Sequence, residues 1–211
     1  MYTFQTPQPI AVTVDVLSAS VTVVAADRGD VVVAIRPADA AKKADVRAAE
    51  QTRVECADGV LTVTTPKNWR TYTPFGGNPS IEVTIEVPTG SRFTGTAGVG
   101  RLLGAGELGE CDLTVSLGDI VVERPLGSVT AKTAKGDIRI GEATRGEFRL
   151  ETSVGELEVG VAPGSAVRLE TAATVGSVRN LLAPVAPSGD TVTVSARNAL
   201  GNIVIRHTAA V

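Results

Sequence analysis

Histidine occurs once in the 211 residues, as His207, and cysteine twice, as Cys56 and Cys111. A Ser-His-Asp or Cys-His unit would have to rest on a residue near the C-terminus, and a zinc site on that residue plus two distant thiols. Without an export signal the two cysteines are expected as free thiols, with Cys111 in a small apolar core position. Aromatic residues are only 3% of the chain, which points to a narrow interior. No charge-free run, of which residues 16–26 are an example, approaches the roughly 18 residues of a spanning helix. Positive charge is not in excess either: 20 Lys and Arg against 23 Asp and Glu give a net −3. That balance argues against nucleic acid and against a polybasic membrane patch. Residues 1–9 hold no basic stretch and lead into alternation instead of an apolar run, so a cytoplasmic protein is expected, without membrane insertion.

What is abundant is glycine, 22 in all, and part of it is periodic. Gly100, Gly118, Gly136, Gly155, Gly176 and Gly201 each sit in the same local phrase. Seven residues before them stand Phe93, Cys111, Val129, Phe148, Leu169 and Val194; two after them stand Leu102, Ile120, Ile138, Leu157, Val178 and Ile203. Four after them the residues are mostly aliphatic, with Asn180 an exception. The residue two before is always small. Alternation on either side of the glycine means two half-buried strands per copy, and the glycine supplies the corner between them. One copy cannot bury its apolar row alone, whereas copies stacked about 4.8 Å apart can. The expected fold is therefore all-β: a flattened parallel β-solenoid with rungs of 18 to 25 residues. An antiparallel β-sandwich is the rival architecture.

The whole chain, residues 1–211, reads as a single domain: irregular N-terminal rungs, a cap and an aromatic loop over 1–90, then regular repeats over 91–206. Val12 to Val23 fits the template with Ala19 in the glycine slot, and Val54 to Val63 fits it with Gly59 there. Between them the Ala-rich, charged segment after Pro37 predicts a short helix over 38–50. Residues 81–87 alternate as a strand that Pro88 and Gly90 close.

Three features are candidates for chemistry. Asp119, Asp137 and Glu156 follow their glycines in successive repeats, and stacking would bring like charges roughly 5 Å apart. Exposure with local backbone hydrogen bonds relieves that repulsion, and so would a bound Ca²⁺, which makes the three candidate metal ligands. The segment 66–80 gathers Trp69, Tyr72 and Phe75 beside Lys67 and Arg70, residue types suited to a recognition surface or to covering a sheet. Residues 104–109 match G-x-G-x-x-G literally, but strand alternation resumes after them and no helix opens there, so an inter-repeat turn is expected.

The phrases "Arg-Pro-Ala-Asp" (36–39), "Val-Glu-Cys-Ala-Asp-Gly-Val-Leu-Thr-Val" (54–63), "Ile-Glu-Val-Thr-Ile-Glu-Val-Pro-Thr-Gly-Ser" (81–91) and "Gly-Asp-Ile" at 118–120 and 136–138 come in order. In this the chain resembles the bacterial β-strand-repeat family of unknown function labelled "putative adhesin". The resemblance implies a β-solenoid with no established catalytic residues and hence no cofactor. Arg101 in place of an acidic corner residue, and Ala19 in place of glycine, depart from the repeat.

The leading functional expectation is a non-enzymatic scaffold or interaction protein that presents rigid faces to a protein or polysaccharide. One alternative is self-assembly into a homo-oligomer or filament through unpaired solenoid ends, as in bactofilin-type structural proteins. Another is a carbohydrate-active β-helix enzyme with paired carboxylates.

Overall fold

The computed structural model describes residues 1–66, 79–182 and 191–208. The chain opens with β1 (Tyr2–Gln5), the long β2 (Ala11–Ala26) and β3 (Asp30–Pro37). Helix α1 (Lys43–Gln51) follows, then β4 (Arg53–Ala57), β5 (Val60–Thr64), β6 (Ile81–Pro88) and the equally long β7 (Arg92–Leu108). Five two-strand rungs complete it: β8 (Cys111–Leu117) with β9 (Ile120–Pro125), β10 (Val129–Lys135) with β11 (Ile138–Ala143), and β12 (Gly146–Val154) with β13 (Leu157–Val161). The last two are β14 (Ala166–Val175) with β15 (Val178–Leu181), and β16 (Thr191–Leu200) with β17 (Ile203–His207).

Rungs stack in parallel and in register, which makes the molecule a parallel β-solenoid. Phe93 pairs with Cys111, Cys111 with Val129 and Val129 with Phe148. On the other sheet Leu102, Ile120, Ile138 and Leu157 form the matching column. All eight are buried, between 0% and 3% exposed, so each alternating row lines one dry interior. Ala19 occupies the glycine slot as the register requires, opposite Gly100, and β2 runs through that corner without a break.

The stacking order departs from the order in sequence. Phe148 on β12 pairs with Val194 on β16, and Val194 pairs in turn with Leu169 on β14. The last rung of the chain is therefore inserted between β12/β13 and β14/β15, which becomes the end of the stack. Side-chain chemistry accounts for this. The inserted rung points Val192, Val194, Ala196, Ile203 and Ile205 inward, all 0% exposed. The end rung carries Thr171 and Asn180 in the corresponding columns, opposite Ala196 and Ile205, and polar residues cost less at an end than in the middle.

The N-terminal third also differs in detail from the repeat. Residues 54–63 are not a parallel rung: β4 and β5 form an antiparallel hairpin about Asp58 and Gly59, with φ of +51° and +75°. Such left-handed residues at a two-residue turn match the twist of a hairpin, which a short repeat count cannot distinguish from a corner. Instead β5 and β6 together make the rung beside β2. Antiparallel β3 covers β6, and antiparallel β1 covers β3. The helix starts at Lys43, later than the predicted 38, because Asp39 Oδ1 accepts the Ala41 N–H (2.9 Å) and holds residues 39–41 in a turn. Asp45 of α1 is 3% exposed and accepts the N–H groups of Asp39 (3.2 Å) and Ser80 (3.0 Å), which ties both ends of the 39–80 excursion together.

Candidate functional site

The corner between the two sheets is the most regular feature of the surface. Gly118, Gly136 and Gly155 have φ of +139°, +147° and +149°, a region that side-chain-bearing residues avoid. They are also stacked so closely that a Cβ on any one of them would run into the carbonyl oxygen of the corner glycine in the preceding rung. Both demands are met by glycine alone.

The residue after each glycine builds a ladder. Asp119 Oδ1 accepts the Asp137 N–H (2.9 Å), and Asp137 Oδ1 accepts the Glu156 N–H (2.8 Å). Glu156 Oε1 then accepts from Asn202 Nδ2 (3.1 Å), and Asn202 Oδ1 accepts from the Ser177 N–H (3.1 Å) and Oγ (2.9 Å). The three predicted acids are thus brought into one column, with the Asp119 and Asp137 oxygens engaged by backbone N–H groups and that of Glu156 by a side-chain amide. Among the described residues no three His, Cys, Asp or Glu side chains converge on a metal position.

A second ladder runs behind the first and carries no periodic signal in the sequence, because small apolar residues share its column. Thr133 Oγ1 donates to the Gly118 carbonyl (3.0 Å), Thr152 Oγ1 to that of Gly136 (3.0 Å) and Asn198 Nδ2 to that of Gly155 (2.7 Å). All three are buried, so each satisfies a carbonyl that the corner geometry withdraws from water.

The residue before each glycine forms the feature with most bearing on recognition. Strict alternation assigns it to the inward row, but the corner rotates it outward. Val99, Leu117, Val154, Leu200 and Val175 are 42%, 46%, 39%, 49% and 57% exposed. Register places them in one line, with Lys135 between Leu117 and Val154. Six rungs make a ridge roughly 24 Å long.

The other predicted positions fall elsewhere. Trp69, Tyr72, Phe75, Lys67 and Arg70 lie outside the described residues. His207 ends β17 opposite Val161, and its ring nitrogens are buried without hydrogen-bond partners among the described residues. Cys56 and Cys111 are free, and burial pushes the Cys111 thiol up to about 12, so it stays protonated and inert at neutral pH. Residues 104–108 continue β7 and no helix opens there.

On the outward face of the first sheet, a recess of about 330 Å³ is lined by Thr130, Lys132, Arg149, Leu150, Glu151, Ser195 and Arg197. It holds one carboxylate, whereas paired-acid glycoside hydrolysis needs two. The second sheet carries a charged cluster: Glu158 accepts from Arg139 Nε (2.7 Å) and Arg206 Nε (2.8 Å), linking three adjacent strands. Burial alone would raise the Glu158 pKa, but the two guanidinium hydrogen bonds outweigh it and hold the carboxyl below its ordinary 4.5. A lowered carboxyl contributes stability that is present above the ordinary value and lost as pH falls through the lowered one. The urea midpoint should therefore fall on acidification below about pH 4.5. It should fall less steeply in Glu158→Gln; equal slopes would remove Glu158 from the acid response.

Architecture and corner together define a class: a parallel β-solenoid with glycine corners, capped at one end by antiparallel strands, with no helix long and apolar enough to cross a membrane among the described residues. The chain belongs to the Toastrack family DUF4097, whose model matches residues 10–184. No curated protein matches it. Solved structures similar to it include a "putative cell adhesion protein" from Clostridium sporogenes, 14% identical with a TM-score of 0.49, over 98% of each chain. Another is a "putative adhesin" from Bacteroides fragilis, 12% identical with a TM-score of 0.44, over 97% of this chain and 95% of that one.

Proposed function

We propose that this protein is a non-enzymatic interaction platform whose aliphatic corner ridge docks a protein partner. The observation that carries the reading is the ridge itself. Five aliphatic residues on one line, with Lys135 among them, are 39% to 57% exposed, whereas the inward aliphatic rows of β8–β13 and β16–β17 are almost fully buried. Contiguous exposed apolar surface of this kind marks interaction sites. A solenoid is suited to the role because each rung is locked by its neighbours, so the ridge is rigid and little ordering entropy opposes docking. The aliphatic character favours protein over polysaccharide, since sugars are gripped by flat aromatic faces. The segment holding Trp69, Tyr72 and Phe75 offers such faces and is a second contact in the same reading, for a protein or a polysaccharide. The neighbours described as adhesins agree with a binding role.

A photo-crosslinking residue at Leu117 or Val154, compared with one at Thr96 on the outward sheet face, tests this in the native host. Both ridge positions should capture the same species, and Leu200→Asp should reduce its capture about tenfold or more, the order of effect of a central interface residue. Capture equal at Thr96, or insensitivity to Leu200→Asp, would defeat the proposal.

A further inference from the structure

The two ends of the stack are built differently. At one end β5 and β6 are covered by antiparallel strands and α1 packs on β3, so the outermost strands are β1 and β4, of four and five residues. At the other end β14 pairs with β16 and β15 with β17, and among the described residues nothing pairs with their outer edges. The ten-residue β14 therefore presents an open row of N–H and C=O groups. The interior is also part-open there: Val178 is 44% exposed, whereas Ile203 in the next rung is 0% exposed. A long unprotected edge is a template for another strand.

We propose that β14 pairs with the β14 edge of a second copy, antiparallel about a two-fold axis at Leu169, to give a closed head-to-head dimer. Charge selects both the occupant and the register. Arg168 and Glu170 are exposed on the outward side of β14, and no ion pair engages either of them among the described residues. Pairing centred on Leu169 sets Arg168 against the partner's Glu170, and Glu170 against the partner's Arg168, while Leu169 meets its own copy on the inner side. Centring on Glu170 would oppose two like charges, and a shift by half a residue would set outward side chains against inward ones. The sequence Arg168-Leu169-Glu170 is thus complementary to itself under a two-fold rotation. An isologous contact consumes the edge in both copies. The opposite ends carry short antiparallel strands, so assembly stops at two and no filament grows.

Sedimentation velocity over a concentration series tests this on the full chain, with thermal melts as the check on folding. Wild type should show a monomer–dimer equilibrium. Arg168→Glu or Glu170→Arg alone replaces two attractions by two repulsions, which should weaken dimerisation about tenfold or more. The double exchange Arg168→Glu/Glu170→Arg restores opposite charges in the same register and should recover dimerisation to within about threefold of wild type. Both positions are exposed, so the melts should not change. A wild type that stays monomeric at every concentration, one that forms open-ended filaments, or a double exchange no better than either single change would overturn the proposal.

Discussion

Gly118→Ala should destabilise the protein by about 2–6 kcal/mol. Two costs combine: a left-handed φ of +139° forced on a residue with a side chain, about 1–3 kcal/mol, and overpacking, also about 1–3 kcal/mol. The second is hard to relieve, because the new methyl meets the backbone carbonyl of Gly100, not the end of a flexible side chain. In a domain of this size the expected fall in Tm is about 5–20 °C. Two comparison variants separate the costs. Gly164 has φ of +89° and open space around it, so Gly164→Ala carries the strain without the collision and should lose about half as much or less. Gly29 has open space and no positive φ, so Gly29→Ala should change stability by under about 1 kcal/mol. Calorimetry on the three variants should give that order, and equal losses at Gly118 and Gly164 would mean that corner stacking does not constrain the fold.

Truncation after Leu182 should have the larger effect. The missing segment contains β16 and β17, which lie between two other rungs, so its loss unpairs β14 and β15 on the one side that is bonded among the described residues and exposes β12 and β13. Val192, Val194, Ile203 and Ile205 are fully buried, each worth about 1.5–3 kcal/mol. Their sum, roughly 6–12 kcal/mol, is as large as the whole net stability of an ordinary domain. The truncated chain should fail to fold or should lose cooperative melting in its C-terminal rungs. A truncated chain melting within a few degrees of the full one would show that the inserted rung is dispensable.

Much of this architecture is legible in the sequence, and where it is not there are physical reasons. The six corner glycines and their flanking aliphatic columns fall where parallel stacking needs them, since a buried row leaves a period-two trace. Ala19 could be placed in its slot for the same reason. The order of the last two rungs could not be read from spacing, because pairing in a solenoid is set by which rows are driest, not by chain order. The clue lay in composition: Thr171 and Asn180 interrupt columns that are apolar in neighbouring rungs. Residues 54–63 mimicked a rung because a hairpin and a corner both place glycine between alternating strands. The ridge was hidden by parity, since Leu117 and Val154 occupy positions that alternation assigns to the core until the glycine rotates them out. Of the candidate site residues, Asp119, Asp137 and Glu156 fall in one column, a position the glycine spacing implies, but their backbone hydrogen bonds depend on rung spacing that no single repeat reveals.

The account rests on parallel rungs with the final one inserted. Cross-linking of cysteine pairs in a Cys56→Ser background tests this most directly. Glu151 pairs with Arg197, and Arg197 pairs in turn with Ala172. Neighbouring rungs put Cα atoms about 5 Å apart, within disulfide reach, and rungs two steps apart put them about 10 Å apart, outside it. Glu151→Cys/Arg197→Cys should therefore oxidise to an internal disulfide, and Glu151→Cys/Ala172→Cys should not. The reverse pattern, with the 151–172 pair closing and the 151–197 pair open, would mean that the rungs stack in chain order and would contradict the fold described.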